Sequence, residues 1–308
     1  MATTLFSSSG GVYRGNLHGH STHSDGRNSP AEVVELYRAA GYDFTCLSEH
    51  LWSNPRFSAP TIIDATTFDS PDFVTIISAE LHCRGKAHDR DGLWHVVANG
   101  LPSDFPMAGD TETGPEMVRR AVAAGAYVTI AHPEWCCLTD EEARGLAVAS
   151  AHGVEVYNHS SAIESAPGGG IATLDLLLHD GHWLHLTATD DSHHIPDDAF
   201  GGWVMVAADR LNDAGIVAAL KDGNFCASSG PDFTELTIDG TTLHVGTSPV
   251  ERVILAADKH QAQMVTGEDL TMVRFDLASL DSAFFRVVAM DRQGRSAWSN
   301  PCWMEAIG

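Results

Sequence analysis

Histidine and carboxylate side chains recur at widely separated points of this 308-residue chain, which contains 17 histidines. Imidazole nitrogens mixed with carboxylate oxygens form the ligand set that Zn, Mn and Fe ions accept in proteins. Seven separate segments of this kind indicate a metal centre rather than an accident of composition. The segments are His18-Gly19-His20, Ser24-Asp25-Gly26, Glu49-His50, Glu80, His95, His132 and Asp191-Ser192-His193.

The first of these motifs places two imidazoles on one side of the backbone. Side chains of an extended segment repeat with a period of two, so His18 and His20 point the same way and can hold one ion. A histidine pair of this spacing is weak evidence alone, because many such pairs are structural. The prediction of a metal centre depends on the repetition of ligands along the chain.

Most of these ligands follow directly after a segment that predicts a β-strand. Capping boxes at Ser29 with Glu32 and at Thr139 with Glu142 each predict the start of a helix between strands. Alternating strands and helices favour a parallel sheet with helical crossovers, and in a β/α barrel the strands present their C-terminal ends on one face. The predicted strands are 12–17, 44–48, 73–79, 94–99, 127–131, 153–157, 183–188 and 202–207, and the predicted helices are 30–40, 116–124, 139–151, 174–179 and 214–221.

The pattern changes after Ser229-Gly230-Pro231, where short runs of alternating polarity replace the helix signals. Turns are expected at Asp239-Gly240 and at 292–294. We therefore predict two domains, a metallohydrolase barrel at 1–230 and a small β-rich C-terminal domain at 231–308. The predicted strands of the second are 235–238, 242–245, 250–256, 272–275 and 284–290.

The charge balance limits the partners of the chain. It carries 41 acidic and 18 basic residues, a formal net charge of -23, and such a surface repels nucleic acid. No long apolar run or leader segment is evident, and the six cysteines show no CxxC spacing, so we expect a cytoplasmic protein without membrane contact. A small-molecule ester is the expected partner, and the oligomeric state is left open.

These motifs, taken together, resemble those of the polymerase and histidinol phosphatase (PHP) family. The run 16–26 resembles the family's opening motif and Ser48-Glu49-His50 its second. Ala79-Glu80 with His95, then 131–133 and 189–193, resemble the others, in the family's order over about residues 12–230. The resemblance implies a distorted (β/α)7 barrel that holds two or three divalent metal ions, with Mn, Zn and Fe as the candidates.

The resemblance also implies how the ligands divide among the ions. Asp190 precedes Asp191, and the spacing to His193 favours Asp191 as the ligand. One ion would be held by His18, His20, Glu80 and Asp191, a second by Glu80, His95 and His132, and a third by Asp25, His50 and His193.

Further motifs resemble one PHP branch that includes carbaryl hydrolase-like proteins and carries a C-terminal β extension. They are 131–135, 154–158, 229–231 and 295–301. Members of this branch include enzymes that cleave carbamate esters. Glu134 departs from the aromatic residue expected between Pro133 and Trp135, which bears on the substrate.

A phosphoesterase that acts on a small molecule is the function we expect, with a hydroxide bridging two ions as the nucleophile. His193 and His23 are the candidate catalytic proton donors, and Arg84, Lys86 and Arg90 the candidate substrate-binding residues, although this loop could simply be solvated. A carbamate or carboxylic ester hydrolase is the alternative, favoured by an aromatic pocket built from Trp52, Trp94 and Trp135. A non-catalytic metal-binding protein is the second alternative.

Overall fold

A computed structural model of the chain describes residues 3–6, 10–87, 92–258 and 261–306. It shows a mixed α/β protein in which β-sheet dominates. Within this part of the chain every helix is too short or too polar to span a lipid bilayer. The strands are β1 Thr3–Thr4, β2 Gly11–Gly15, β3 Phe44–Leu47, β4 His50–Leu51, β5 Val74–Arg84, β6 Leu93–Asn99, β7 Tyr127–Ile130, β8 Gly153–Asn158, β9 His185–Thr189, β10 Trp203–Ala208, β11 Phe225–Ser228, β12 Phe233–Asp239, β13 Thr242–Ala257, β14 Ala262–Asp276, β15 Phe284–Met290, β16 Ser296–Ser299 and β17 Cys302–Trp303.

Two helices begin at the predicted capping boxes, and the short helix at His159–Glu164 was not predicted. Both predicted capping boxes are present, since Ser29 and Thr139 each accept from the backbone N–H of a glutamate three residues later, and that glutamate bonds back. A third box at Thr113 and Glu116, which the sequence reading missed, begins α2. The helices are α1 Pro30–Ala39, α2 Gly114–Ala123, α3 Asp140–Val148, α4 His159–Glu164, α5 Ile171–His179 and α6 Asp213–Lys221.

The sheet is parallel in two blocks, β2–β3–β5 and β7–β8–β9. The prediction of a parallel sheet throughout is wrong at β6, which runs antiparallel to both β5 and β7. Only residues 85–92 join β5 to β6, and a parallel crossover needs a dozen or more. β10, predicted as the last strand of the parallel layer, is also antiparallel, pairing with β2 and β11.

The two ends of the parallel layer approach each other just beyond β2 and β9. Gly19 and Ser192 form an isolated parallel bridge. His20 N donates to Ser192 O at 2.8 Å and Asp191 N donates to His18 O at 2.9 Å. The described residues form no continuous ladder between β2 and β9, so the sheet stays open, although these bonds draw the ends of both strands together.

The C-terminal part is antiparallel and has a hydrophobic core of its own. The predicted runs 242–245 and 250–256 form a single strand, β13, because shifts of register between Gly246 and Val250 take up Pro249 without ending the strand. Leu243, Val253 and Phe285 are among the buried residues of this core. A larger core fills the space between the sheet and the helices of the N-terminal part.

A bidentate ion pair joins the two parts of the chain. Arg286, on β15, donates from Nη2 to Asp175 Oδ1 and Oδ2 at 3.0 and 2.9 Å, and from Nε to Oδ1 at 3.2 Å. Only 9% of the Arg286 side chain is exposed, so water competes weakly for these bonds. A planar guanidinium that meets both oxygens of one carboxylate is the strong form of this pair.

Replacing Arg286 with Ala should destabilise the protein by about 2 kcal/mol, because Asp175 on α5 loses charge-assisted bonds and the site loses packing. Urea unfolding measures the change. Arg292→Ala is the matched control, since its side chain is 59% exposed and it should change stability little. Equal stability of the two variants would contradict a role for this pair.

Candidate metal centre

The nine predicted ligands converge at one end of the parallel strands. His18 and His20 follow β2, Glu80 lies in β5, His132 follows β7 and Asp191 follows β9. Each predicted histidine ligand has a ring nitrogen within 4.0 Å of a carboxylate oxygen of Asp25, Glu80 or Asp191. Side chains separated by up to 175 residues in the sequence therefore share one site.

Glu80 lies at the centre of the cluster and is fully buried. Its Oε1 is 2.9 Å from His95 Nδ1 and 3.2 Å from His132 Nε2. Its Oε2 is 2.6 Å from His50 Nδ1 and 3.6 Å from His18 Nε2. Both oxygens thus face imidazoles from different strands, which is the arrangement of a carboxylate that bridges two ions.

Asp191 forms the second focus of the cluster. Its Oδ1 is 3.1 Å from His18 Nε2 and 3.0 Å from His20 Nε2. Asn158 Nδ2 donates to the other oxygen, Oδ2, at 3.0 Å. The amide therefore orients the carboxylate so that Oδ1 faces the two histidines of the first motif.

A third group stands at the cavity side of the cluster. Asp25 Oδ1 is 3.4 Å from His50 Nε2 and 3.6 Å from His193 Nε2. The ring of His20 stacks between these two imidazoles, at 4.1 and 4.3 Å between centroids. These four side chains form one of the groups whose ligand atoms lie close enough to hold a single ion.

Unpartnered polar atoms show that the cluster fits metal ions. Among the described residues, His18 Nε2, His20 Nδ1 and Glu80 Oε2 are buried and have no hydrogen bond of acceptable geometry. Leaving such atoms unpaired costs free energy, and divalent cations are the partners that a mixed histidine and carboxylate set accepts. His18, His20 and Glu80 also form one of the groups suited to a single ion.

The electrostatics of the cluster point the same way. Burial acts to raise the pKa of Glu80, but the nearby His50 and His82 imidazoles hold it well below its usual value. Burial lowers the pKa of His20 to about 3, helped by His50 and His193. Burial also acts to lower the pKa of His50, yet Glu80 and Asp25 raise it to about 10. The carboxylates therefore stay ionised. In the absence of metal, protonated His50 supplies positive charge beside Glu80 and Asp25, which metal cations would otherwise supply.

Glu155 supports the cluster from behind, and sequence reasoning missed it as a site residue. Its Oε1 lies 2.7 Å from His18 Nδ1 and accepts from Thr189 Oγ1 at 2.8 Å. Its Oε2 accepts from the backbone N–H of His132 at 2.7 Å. An acidic residue inside the apolar strand run 153–157 was the available signal. Glu155 holds His18 Nδ1 and so leaves Nε2 to face Glu80 and Asp191.

The adjacent aspartates have opposite orientations. Asp190 accepts from Tyr37 Oη at 2.8 Å and from the backbone N–H groups of Phe200, Gly201 and Gly202, each at 2.8 Å. Its carboxylate is therefore occupied away from the cluster, and burial raises its pKa to about 6. Asp191 faces the histidines, in agreement with the spacing argument.

Glu49 is likewise a support and not a ligand. Its Oε2 accepts from the backbone N–H groups of Ser21 and Ser24 at 3.2 and 3.1 Å. The hydroxyl of Ser21 donates to Oε1 and that of Ser24 to Oε2. The buried carboxylate thereby holds the loop that carries Asp25.

A cavity of about 430 Å³ opens on the cluster. Apolar walls come from Phe57, Leu93 and Trp135, of which only Trp135 belongs to the predicted aromatic set. None of the described lysines and arginines lines it. The remaining lining residues are polar: Asp25, His50, Glu80, His95, His132, Ser160, Ser161, Glu164, Ser165, Asp191, His193 and His194.

The predicted substrate contacts lie elsewhere. Arg84 is exposed and stacks over Trp52, with 5.1 Å between its guanidinium carbon and the ring centroid. Lys86 is buried and donates from Nζ to Cys136 O at 2.5 Å. Arg90 lies outside the described residues. The structure thus brings neither Arg84 nor Lys86 to the cavity.

The two predicted proton donors differ in position. His193 lines the cavity, and its Nδ1 lies 2.8 Å from Asp191 O. His23 is exposed and outside the cavity lining, with Nε2 3.1 Å from Thr61 O. Glu134, singled out for its departure from the family pattern, is also outside the lining and accepts from Gly169 N at 2.9 Å.

The two aspartates should respond differently to amidation. Asp191→Asn should remove at least one bound ion per chain, because it replaces a charged oxygen at the focus of two imidazoles. Asp190→Asn should keep the metal but lose about 2 kcal/mol of stability, because one of its accepting oxygens becomes a donor. Elemental analysis and thermal unfolding measure the two effects. Loss of metal in Asp190→Asn with unchanged stability would reverse the assignment.

Comparison with known proteins places the fold. No protein-family profile and no curated protein matches the sequence. A two-domain protein from Bacteroides vulgatus, which contains a predicted PHP-like metal-dependent phosphoesterase, matches over 93% of both chains, with 17% sequence identity and a TM-score of 0.55. An amidohydrolase from Chromobacterium violaceum, solved with sulfate and no metal, matches 60% of this chain and 89% of its own, with 16% identity and a TM-score of 0.44. The chain therefore shares its fold with the Bacteroides vulgatus protein.

Proposed function

We propose that this chain is a metal-dependent hydrolase of the PHP type that cleaves a phosphate ester of a small molecule. The observation that carries the proposal is the convergence of six predicted histidine ligands on Glu80, Asp191 and Asp25, with buried ring and carboxylate atoms left unpartnered. The cavity of about 430 Å³ is of the size that holds a small molecule. The proposal assigns residues 1–230 to a distorted (β/α)7 unit that is left open between β2 and β9 and has β6 antiparallel, and 231–308 to a separate β-rich domain.

Two or three divalent ions, Mn, Zn or Fe, would be held as the sequence resemblance implies. When bound, such ions act as Lewis acids toward an ester and lower the pKa of coordinated water to roughly 7. Glu80 faces histidines from separate strands and Asp191 faces both His18 and His20, so the two carboxylates would hold ions together with these histidines. Glu155 and Asn158 fix the orientation of His18 and Asp191, which keeps the ligand atoms preorganised.

His193 is the side chain that we assign to the leaving-group side of the reaction. It lines the cavity, and its Nδ1 donates to the backbone carbonyl of Asp191, which leaves Nε2 directed toward Asp25. The imidazole is therefore held rigidly at the cavity wall, beside the position that the ester occupies. His23 stays a weaker candidate, because its ring contacts Thr61 outside the cavity.

A carbamate or carboxylic ester is the second candidate substrate, favoured by the composition of the cavity wall. Phosphatases commonly place arginine or lysine against the phosphate, and none of the described ones lines this cavity. Phe57, Leu93 and Trp135 supply apolar surface suited to the aryl or alkyl part of an uncharged ester. A phosphate ester is an anion, so the metal ions would have to supply the positive charge that binds it. An uncharged ester needs less positive charge in the cavity.

Hydrolysis of four chromogenic esters separates these candidates. We expect metal-dependent release of p-nitrophenol from p-nitrophenyl phosphate or its diester by protein reconstituted with Mn, Zn or Fe. Release only from p-nitrophenyl acetate or an N-methylcarbamate would overturn the phosphoesterase in favour of the second candidate. His20→Ala, which removes a buried imidazole beside Asp191, should lose metal and activity together, and full activity in that variant would refute the site.

Trp135 should contribute to binding of aryl substrates. Its ring is 38% exposed, lines the cavity and packs edge-on against His132 at 5.1 Å. Trp135→Ala should reduce kcat/KM for an aryl ester about 10-fold relative to a methyl ester of the same acid, at unchanged metal content. Trp183→Ala is the matched control, because this tryptophan is 55% exposed and outside the cavity lining. An equal fall for both substrates would count against this role.

A further inference from the structure

His82 is a buried imidazole that the ligand set leaves out. It lies within β5, beyond the predicted strand 73–79, and is fully buried. It is two residues from Glu80, so both side chains point to the same face of the strand. Its cross-strand partner on β6 is His95, with 4.5 Å between ring centroids. His82 therefore lies beside the predicted ligands, although it is not one of them.

Its first hydrogen bond determines which ring nitrogen carries the proton. His82 Nδ1 lies 3.2 Å from the backbone carbonyl oxygen of Trp94. A carbonyl oxygen can only accept, so Nδ1 must be the protonated nitrogen. In the neutral ring, Nε2 is then left with a lone pair and acts as an acceptor.

The second hydrogen bond passes this constraint to His50. His82 Nε2 lies 2.9 Å from His50 Nδ1. Because Nε2 can only accept, His50 Nδ1 must donate. When His50 loses its second proton to bind a cation, the free lone pair is thereby confined to Nε2, the nitrogen that faces Asp25 Oδ1 at 3.4 Å.

A competing acceptor lies close to the same proton. Glu80 Oε2 is 2.6 Å from His50 Nδ1, nearer than His82 Nε2. The contact lacks hydrogen-bond geometry, however, and Glu80 Oε2 has no aligned donor among the described residues. Alignment decides between the two, because hydrogen bonds weaken steeply away from linearity. His50 therefore donates to His82, and Glu80 Oε2 keeps its lone pairs for a cation.

We propose that His82 is a positioning residue, which acts through His50 on the ion-binding group formed by Asp25, His50 and His193. The relay runs from the Trp94 carbonyl through His82 to His50 and fixes both the tautomer and the ring orientation of His50. It rests on the metal-binding part of the proposed function. Loss of a hydrogen-bond partner of this kind lowers metal affinity 10- to 100-fold.

Nitrogen NMR of the histidine side chains tests the relay directly. In ¹⁵N-labelled protein, both with and without zinc, His82 should show a protonated Nδ1 and an unprotonated Nε2. His152 is an internal reference of the opposite tautomer, because its Nδ1 accepts from the backbone N–H of Val128 at 3.0 Å. The His82→Gln spectrum assigns the resonances. A protonated Nε2 on His82, or a metal-shifted Nε2 in the zinc form, would overturn the proposal, the second by making His82 a ligand.

Zinc titration gives the second readout. His82→Phe should weaken the binding of one zinc ion 10- to 100-fold and leave the others unchanged, because only the group with His50 loses its support. His82→Gln, whose amide oxygen can still accept from His50, should recover to within a few-fold of the original affinity. Unchanged zinc affinity in folded His82→Phe would overturn the relay.

The two proposals fail separately. Failure of the unsubstituted protein to bind Mn, Zn and Fe alike would refute the proposed function, while the tautomer of His82 in the metal-free protein would still decide the relay.

Discussion

Most of the site is arranged to stabilise the buried carboxylates of Glu80 and Asp191. Taking an ionised carboxylate out of water costs several kcal/mol unless partners replace the lost hydration. Glu80 is fully buried and Asp191 is 7% exposed, and their partners are imidazoles delivered from five strands or strand ends. The fold supplies these partners because parallel strands end side by side, so that residues far apart in sequence meet around two carboxylates. Without bound cations the raised pKa values of His18 and His50 favour protons on these two rings, so metal and proton compete for the same lone pairs.

The backbone at the strand ends shows how tightly these positions are held. His132 and Asp191 both have positive φ angles, 22° and 54°, a region that side-chain-bearing residues enter rarely. Each is held there by a hydrogen bond from its own amide: His132 N donates to Glu155 and Asp191 N donates to His18 O. The strain thus coincides with two ligands and is offset by bonds made within the site. Asp190 also fixes the local backbone, because its carboxylate accepts hydrogen bonds from the turn at 200–202. Asp190 is thereby turned away from the cluster, and Asp191 faces it.

Local signals predicted where α1 and α3 begin, whereas features that depend on pairing across the sheet were not predicted. Ser29 and Thr139 predict their helices because a capping box is formed within four residues. The antiparallel direction of β6 depends on the pairing of Leu93–Asn99 with two other strands, which no local pattern encodes. Glu155 and His82 were missed for the same reason: a polar residue inside an apolar strand gains its meaning only from the neighbours across the sheet. Arg84 and Lys86 were singled out by charge and loop position, yet Lys86 is occupied by the carbonyl of Cys136.

The charge of the cavity links the metal centre to the choice of substrate. The chain has a net charge of -23, and the described lining contains Glu164 and Asp25 but no lysine or arginine. Positive potential in this cavity would therefore come from the proposed ions, beside the reacting group of a substrate, and would fall off toward the mouth. An anionic group would be attracted only where it can reach the ions, while the outer wall of Trp135 and Phe57 favours an uncharged, apolar part of the same molecule. A substrate with one compact reacting group and an apolar remainder satisfies both ends of the cavity.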